Sequence, residues 1–465
     1  MGRNIILKGY SLMRRFLAII ICFAIIIPCF SGCSKDNSPS PENPVTLTMW
    51  HVYGSQTTSP LNTIIDEFNR TVGTENGITI NVASVTSSSA IDKALAAAAS
   101  KEPGAAELPD LFTAYPRVVE IIGEKNLLTW NEYFTEEELV AFNDVFLSEG
   151  YFNNELLMLP IAKSSEALFI NQTLFDRFCT DVNVSLNDLS TFDGLFAVAR
   201  KYYDWSGGQH FLQLNDYYNY AYIGMKAYGS EFVRNNQLNL HDEAFEQIWR
   251  PLAKTAIYGG INLDDGYAAA KWKTIDIIAN TGSTADVLYQ PEEVFYSDNT
   301  TEPITTLALP YPTFTDNFSA VVYRGGGLFA IKSDNERKNQ AAYIFAKWLT
   351  EHDNNLDFVT QAGYLPVTNA AIESLFNDVS IVKNENYHSV YEAVAKMNQG
   401  YSFYPLPLYN GASNIQSDFE NNVKTVLRSA HIQYEKRISN GEDSELVLNE
   451  LVESSLTELR GLSER

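Results

Sequence analysis

Apolar residues from position 45 onward follow two alternating periods. Some segments repeat an apolar residue at every second position, as a half-buried strand does, and others repeat every 3.6 positions, as an amphipathic helix does. The order is strand 45–50, helix 60–72, strand 78–82, helix 90–100 and strand 110–115. Strands separated by helices of this length need right-handed crossovers, so this part of the chain predicts an α/β lobe with a mostly parallel sheet.

The rest of the chain is richer in helical patterns. Strand-like segments at 156–161 and 167–170 flank the polar stretch 163–166, which predicts a hinge between two strands. The later helices are predicted at 191–203, 242–257, 340–350, 414–427 and 444–459, with one strand at 327–331. A strand and helix that return between helix-rich stretches indicate a chain that crosses between two lobes more than once. The length of 465 residues, roughly three average domains, also favours more than one core.

The first 32 residues form a separate segment. They begin with four basic residues and no acidic one, and the apolar run 16–30 is shorter than the roughly 20 residues that a membrane span needs. This pattern is typical of a secretory signal. The run ends in Phe30-Ser31-Gly32-Cys33, which resembles a bacterial lipobox, although Phe30 stands where that pattern usually has Leu. The resemblance implies cleavage before Cys33 and acylation of that cysteine, and an uncleaved signal anchor is the alternative.

Residues 34–44 are polar and rich in Pro and Ser, which predicts a flexible tether. Two of the four cysteines lie in the signal and Cys33 would carry lipid, so Cys179 has no partner in the mature chain and no structural disulfide is expected. We interpret Cys179 as a small buried apolar residue. The expected product is a monomer that the lipid on Cys33 anchors to the extracytoplasmic face of the bacterial cell membrane.

Composition and charge exclude several classes of protein. Hydrophobic residues make up 45% of the chain and aromatic residues 12%, which excludes a disordered or collagen-like chain. The formal charge is −24, and removal of the four basic residues of the signal makes it −28. A nucleic-acid partner is therefore not expected, because the mean field of the chain repels phosphate.

Enzyme signatures are also missing from the sequence. The six histidines form no H-E-x-x-H motif and no close pair, the mature chain has no Cys-x-x-Cys, and there is no G-x-S-x-G. We therefore predict no metal, no cofactor and no catalytic activity. Two alternatives remain open. A secreted carbohydrate-active enzyme needs only a carboxylate pair, which a sequence cannot exclude, and a purely structural surface lipoprotein would carry no site at all.

Six short motifs occur in the order seen in one family. They lie at 48–51, 65–69, 109–111, 159–171, 325–331 and 361–367. In this order the mature chain resembles the family 1 extracellular solute-binding proteins, which are the receptors of carbohydrate ABC importers, and especially the maltose-type and glycerol-3-phosphate-type branch. The resemblance implies an α/β, two-lobed Venus-flytrap fold of type II that binds a small molecule between its lobes and delivers it to the importer's permease subunits.

The resemblance also implies where the lobes divide. Hinge crossings are expected near 160–166, 324–327 and 366–369. The signal peptide would be residues 1–32 and the acylated cysteine with its tether residues 33–44. The first lobe would comprise 45–164 with 328–366, and the second, helix-rich lobe would comprise 165–327 with 367–465.

Sugar receptors need aromatic platforms for C–H faces and hydrogen-bonding groups for hydroxyls. Trp50 ends a predicted strand, where ligands bind in open α/β sheets, and a core position is the equal alternative. The run 325–327 is not a phosphate loop, because no Lys-Ser/Thr follows it, so we interpret it as a hinge. The candidate ligand-binding residues are Trp50, Gln56, Tyr115, Ser164, Ser165, Glu166, Trp205, Tyr217, Trp272, Thr281, Ser283, Gly325, Gly326, Tyr364 and Tyr404.

The ligand is predicted to be a neutral mono- or oligosaccharide with Trp50 or Trp272 stacked on a pyranose. Relatives that bind glycerol phosphates carry an arginine late in the chain, and the corresponding stretch 401–410 has no Arg or Lys. A phosphorylated ligand remains the alternative, with Arg117 or Arg324 supplying the charge.

The first testable prediction concerns export. The substitution Cys33→Ala should release the protein from the membrane fraction, because it removes the lipid attachment site. Fractionation of expressing cells checks this by comparing wild type and variant. If both proteins stay unprocessed in the membrane, the segment is a signal anchor and the prediction is wrong.

Overall fold

The structure is a computed structural model that describes residues 38–54, 59–85, 87–407 and 411–463. The strands in these ranges are β1 (Val45–His51), β2 (Ile78–Val85), β3 (Leu111–Ala114), β4 (Tyr151–Phe152), β5 (Glu155–Leu156), β6 (Ser164–Asn171), β7 (Leu212–Leu214), β8 (Val233–Arg234), β9 (Gln237–Leu238), β10 (Ala279–Ser283), β11 (Glu293–Phe295), β12 (Thr301–Pro303), β13 (Thr306–Pro310), β14 (Ala320–Arg324), β15 (Gly327–Ala330) and β16 (Ser402–Tyr404). None of the described helices is long and apolar enough to cross a bilayer.

The helices surround two large sheets, and three two-stranded sheets complete the described strands. They are α1 (Pro60–Arg70), α2 (Val72–Asn76), α3 (Ser88–Ala99), α4 (Val118–Ile122), α5 (Glu136–Val140), α6 (Asp144–Ser148), α7 (Gln172–Asp181), α8 (Phe192–Ser206), α9 (Tyr217–Ala227), α10 (Glu243–Tyr258), α11 (Ala268–Lys273), α12 (Glu336–Thr350), α13 (His352–Thr360), α14 (Asn369–Asn377), α15 (His388–Gly400), α16 (Ala412–Ser439) and α17 (Ser444–Ser463).

The first sheet has the strand order β15-β3-β1-β2. Strand β1 runs parallel to β2 and β3, and β15 pairs antiparallel with β3. The parallel pairs arise because α1 and α3 carry the chain from one strand to the next, as the alternating periods predicted. A core that includes Met49, Phe68 and Phe345 joins this sheet to α1 and α12. The sequence-predicted α/β class is confirmed here.

The second sheet is built around β6. Its order is β16-β14-β6-β10-β7, and β13 pairs with β6 as well. Every residue of β6 is buried, because neighbouring strands and helices cover both of its faces. The sequence predicted that the polar stretch 163–166 forms a hinge between two strands. In the structure, Ser164 to Glu166 are instead the first residues of β6. Their backbone groups pair with β14 and β10, which satisfies them inside the core.

One further prediction differs from the structure. The apolar segment 156–161 was expected to be a strand, but it forms only the end of the short strand β5 and an isolated bridge between Leu159 and Leu328. Residues 157–161 are nonetheless almost wholly inaccessible to solvent. A buried irregular segment needs the same run of apolar residues as a central strand, so the apolar pattern alone cannot distinguish the two structures.

Lys163 ties together the three segments that pass between the sheets. Its backbone N–H donates to Leu365 O at 3.0 Å, and its Nζ donates to Gly325 O at 3.1 Å and forms an ion pair with Glu149. The Lys163 side chain is fully buried, so its charge needs these partners. The rings of Phe146 and Tyr323 lie within about 6 Å of the ammonium. Lys163, which belongs to the first crossing, thus contacts the other two: the segment at Leu365 through its backbone and Gly325 through its buried ammonium.

The second testable prediction concerns this cation. The substitution Glu149→Ala leaves Lys163 buried without its carboxylate, and we expect a loss of about 3 kcal/mol in the free energy of unfolding. Urea denaturation measures it. The matched control is Glu67→Ala, which removes an exposed glutamate within α1 and should change stability by about 0.5 kcal/mol or less. Equal effects of the two substitutions would contradict the role of the buried pair.

Candidate functional site

Three adjoining cavities lie where the two sheets face each other. Their volumes are about 240, 430 and 640 Å³, and we refer to them as the first, second and third cavity. Asp286 lines all three, Ser283 and Arg324 line the first and the second, and Val52 and Tyr289 line the first and the third. Because the cavities share these side chains, they form one continuous cleft.

The first cavity receives residues from both sheets. Tyr53 follows β1 and Tyr115 follows β3, so both lie at the carboxyl edge of parallel strands, where ligands bind in open α/β folds. The second sheet contributes Ser164, and Ser283 ends β10. Tyr364 packs edge-on against Tyr53, with ring centroids 5.0 Å apart. The first cavity is therefore an interlobe site rather than a pocket within one lobe.

The cleft floor carries one arginine that protein carboxylates already hold. Arg324 Nη1 lies 3.1 Å from Glu166 Oε1, and Nη2 lies 3.6 Å from Asp216 Oδ2. Burial would lower the pKa of Arg324, but Asp216 and the other nearby acidic groups raise it above its ordinary value. Burial raises the pKa of Glu166, an effect that Arg324 opposes, and Asn219 Nδ2 also donates to Glu166 Oε1 at 2.5 Å. Arg324 is thus a permanent cation whose charge these carboxylates offset.

Asp286 is the carboxylate that reaches every part of the cleft. Asn215 Nδ2 donates to Asp286 Oδ2 at 3.2 Å. Glycine at residue 282 leaves room for this pair in its present position, because a Cβ there would lie 2.3 Å from Asp286 Oδ2 and 2.7 Å from Asn215 Nδ2 and would displace the two side chains. Burial raises the pKa of Asp286 to about 6, although Arg324 and the bond from Asn215 act in the opposite direction.

The second and third cavities combine polar groups with exposed aromatic rings. In the second cavity, Gln213 Oε1 and Tyr217 Oη are buried without a hydrogen-bond partner among the described residues. In the third cavity, the side chain of Tyr267 is 84% exposed and that of Tyr289 is 53% exposed. Unpaired polar atoms and open rings are the groups that a polar ligand with an apolar face would contact.

The structure brings about half of the sequence-predicted site residues to the cleft. The lining residues of the first cavity include Tyr115, Ser164, Ser283, Gly325, Gly326 and Tyr364, and Tyr217 lines the second. Ser165, Glu166 and Thr281 are buried behind the cleft wall, where Glu166 holds Arg324. Gln56 lies outside the described residues.

The structure does not bring the other four predicted aromatic residues to the cleft. Trp50 is 7% exposed within a core cluster that includes Phe112, and Trp272 is fully buried beside Phe169. Trp205 lies on the outside of the second lobe, where its Nε1 donates to Asp181 Oδ2 at 3.1 Å. Tyr404 lies in β16, with Lys226 Nζ 4.6 Å from its ring centroid. Strand side chains project from the faces of a sheet, so a tryptophan near a strand end can point into the core.

Sequence reasoning missed several cleft residues. Tyr53, Tyr267, Tyr289, Asn215 and Asp286 line the cleft but were not among the candidates. Tyr53 comes just after β1, the strand that contains Trp50, and Asp286 comes three residues after the predicted site residue Ser283. A search for polar and aromatic residues just beyond each strand end would have found these two.

Comparison with known proteins identifies the class. Residues 63–387, more than half of the chain, match the family of bacterial extracellular solute-binding proteins. The chain therefore belongs to this family, and the sequence-based resemblance is confirmed. No curated protein sequence matches the chain.

Solved structures share the two-lobed fold. The cyclic alpha-maltosyl-1,6-maltose binding protein from Arthrobacter globiformis has a TM-score of 0.60 at 17% identity, and the match covers 90% of this chain and 99% of that one. UgpB from Mycobacterium tuberculosis in complex with glycerophosphocholine has a TM-score of 0.64 at 16% identity, covering 90% and 98%. An ABC substrate-binding protein from Listeria monocytogenes in complex with cycloalternan has a TM-score of 0.64 at 13% identity, covering 89% and 98%. The predicted periplasmic-binding-protein-like fold is confirmed.

The third testable prediction concerns Arg324. The substitution Arg324→Met leaves Glu166 and Asp216 without their cation, and we expect a loss of about 2 to 3 kcal/mol in unfolding free energy at pH 8. The loss should shrink at pH 5. Glu166 has a folded-state pKa above its unfolded value, so its charge costs stability at high pH and this cost disappears on protonation.

Urea denaturation at both pH values measures this difference. The control is Arg117→Met, which breaks the more exposed pair with Asp92 and should cost about 1 kcal/mol or less. A loss for Arg324→Met that is the same at pH 5 and pH 8 would contradict the carboxylate argument.

Proposed function

We propose that this protein is the lipid-anchored receptor of an ABC importer and that it binds a neutral mono- or oligosaccharide in the cleft. The proposal depends on one observation: the cleft is lined by several tyrosines and by an arginine, Arg324, whose charge Glu166 and Asp216 already offset. Membership of the solute-binding family supports a receptor, and the resemblance of residues 30–33 to a lipobox supports an anchor on Cys33.

Tyrosines supply the apolar contacts that a sugar needs. Tyr53, Tyr115 and Tyr364 line the first cavity, and Tyr267 and Tyr289 line the third. A pyranose presents C–H groups on its faces and hydroxyls at its edges, so a ring can stack on it while neighbouring polar groups bind the hydroxyls. The 84% exposure of Tyr267 leaves its ring open to such contact. Tyr267 and Tyr289 therefore replace Trp50 and Trp272 as our stacking candidates.

A phosphate-containing solute is the second candidate. The similarity to UgpB, whose structure contains glycerophosphocholine, favours it, and Arg324 lines two of the cavities. A phosphate needs a free guanidinium or several N–H donors. Arg324 already faces Glu166 and Asp216, and Asp286 adds a further acidic group nearby. These carboxylates favour an uncharged ligand.

Closure of the lobes is the expected response to the ligand. The three crossings that meet at Lys163 are short enough to act as a hinge. The two lobes that would move about this hinge are those whose boundaries the sequence analysis predicted. A ligand that contacts both lobes favours the closed state by its differential affinity for that state. The closed monomer would then dock on the permease. A carbohydrate-active enzyme is disfavoured, since the family and its structural neighbours are binding proteins.

The fourth testable prediction concerns binding. Calorimetry should detect a neutral saccharide in a panel that includes maltotriose and mannotriose, without turnover, and glycerol phosphates should not bind. We expect Tyr267→Ala to weaken saccharide binding about tenfold because a stacking ring is lost. The control is Tyr151→Ala, which removes a half-exposed tyrosine of β4 that lines none of the three cavities.

Small-angle scattering of the same samples should show contraction on saturation. Tight binding of a phosphate with no saccharide bound would overturn the ligand class. Consumption of the sugar would instead support the enzyme alternative, and no binding of any kind would favour a structural lipoprotein.

A further inference from the structure

Asp286 has a distinctive position among the charged groups of the cleft. It lines all three cavities, whereas Arg324 lines two. Asp286 makes no ion pair with the described residues, and its carboxylate accepts hydrogen bonds from Asn215 Nδ2, 3.2 Å from Oδ2, and from the backbone N–H of Ser283. The other acceptor positions of the carboxylate remain available.

The surroundings of Asp286 hold the carboxylate in place. It belongs to the short 3₁₀ helix Thr284–Tyr289, which begins directly after β10. Gly282 of β10 leaves the space that the Asp286 and Asn215 side chains occupy, since a Cβ at this position would overlap both. The carboxylate is therefore positioned before any ligand arrives, and a preorganised acceptor loses little freedom on binding.

We propose that Asp286 is the specificity-determining residue of the cleft: its ionised carboxylate accepts hydrogen bonds from the hydroxyls of a neutral saccharide, disfavours anionic solutes, and loses the saccharide when it is protonated. The proposal rests on the receptor function proposed above. It adds the residue that selects the ligand's charge and makes affinity depend on pH.

Several charged and titratable groups face Asp286. Arg324 acts on it from β14, Tyr364 faces it from the segment after α13, and Tyr289 lies on its own turn. Lys424 and Asp264 line the second cavity and Lys273 lines the third. Among the described residues, Arg324 is the cation that lowers the pKa of the Asp286 carboxyl, and its two ion pairs go to Glu166 and Asp216.

The direction of the pH effect follows from burial. In the free protein the pKa of Asp286 is raised to about 6. Hydroxyl donors favour the ionised form, so ligand binding lowers this pKa and displaces any proton bound to the carboxylate. Affinity is then complete above pH 6 and falls as the pH drops below it. Between pH 7.5 and pH 5.0 one such proton weakens binding about tenfold.

The fifth testable prediction uses Asp286→Asn, which keeps the shape and one acceptor but removes the charge. Calorimetry with whichever panel saccharide binds should show that wild type loses about tenfold affinity from pH 7.5 to pH 5.0. The variant should bind about tenfold more weakly at pH 7.5 and show little dependence on pH. Gly282→Ala, which displaces the carboxylate without removing it, should also weaken binding.

A ligand-free measurement tests the same residue independently. Since the folded-state pKa of Asp286 lies above its unfolded value, its charge costs stability at neutral pH and not at pH 4. Asp286→Asn should therefore raise the melting temperature at pH 7.5, and the gain should shrink at pH 4. The matched control is Asp66→Asn, which removes an exposed aspartate of α1 and should alter neither the melting profile nor the affinity.

The outcomes separate the two proposals. A saccharide that binds with the same affinity at pH 5.0 and 7.5, or equally well to Asp286→Asn, overturns the role of Asp286 and leaves the receptor function standing. A lower melting temperature for Asp286→Asn at pH 7.5 also overturns it, because the carboxylate would then stabilise the fold. Failure of every saccharide to bind overturns the saccharide assignment and the role of Asp286, and failure of every solute in the panel to bind overturns the receptor function as well.

Discussion

The ion-pair group around Arg324 is the constraint on which the cleft depends. This arginine ends β14 just before the glycines that cross between the lobes, and it faces Glu166 of β6 and Asp216 at the start of α9. A charge at the floor of a cleft must be offset by the protein or by the ligand. Here the protein's own carboxylates offset the charge of Arg324, and these ion pairs tie three elements of the second lobe together.

Lys163, in the hinge region, is a second cation whose charge the protein must offset. Its ammonium is fully buried and is satisfied by Glu149 and by the carbonyl of Gly325, which comes directly after Arg324. The two cations therefore lie near the same crossing, Lys163 buried against Gly325 and Arg324 lining the cleft. Acidic side chains of the protein neutralise each of these two cations. Some of the many acidic residues that give the chain its formal charge of −24 therefore stabilise the structure.

The contrast between tryptophans and tyrosines shows how burial decides the role of an aromatic residue. Trp50 and Trp272 have the largest stacking surfaces, but the core uses them, and the indole Nε1 of Trp272 has no hydrogen-bond partner among the described residues. Tyrosines line the cleft instead. A phenol can present its ring to a ligand while its hydroxyl contacts water or a sugar hydroxyl, so it tolerates a wet site better than a wholly apolar ring does.

The sequence by itself determined the fold class, the family and the neighbourhood of the cleft. Local periodicity specified the strands and helices of the first lobe, and Tyr115 was found because it follows one of those strands. Ser283 and Gly326 were found through the resemblance to the family. Only the tertiary structure decided which side chains point into the cleft. Asp286 and Asn215 are far apart in sequence, and their pairing depends on the space above Gly282. Such a contact depends on long-range packing, which a periodic pattern of local neighbours does not record.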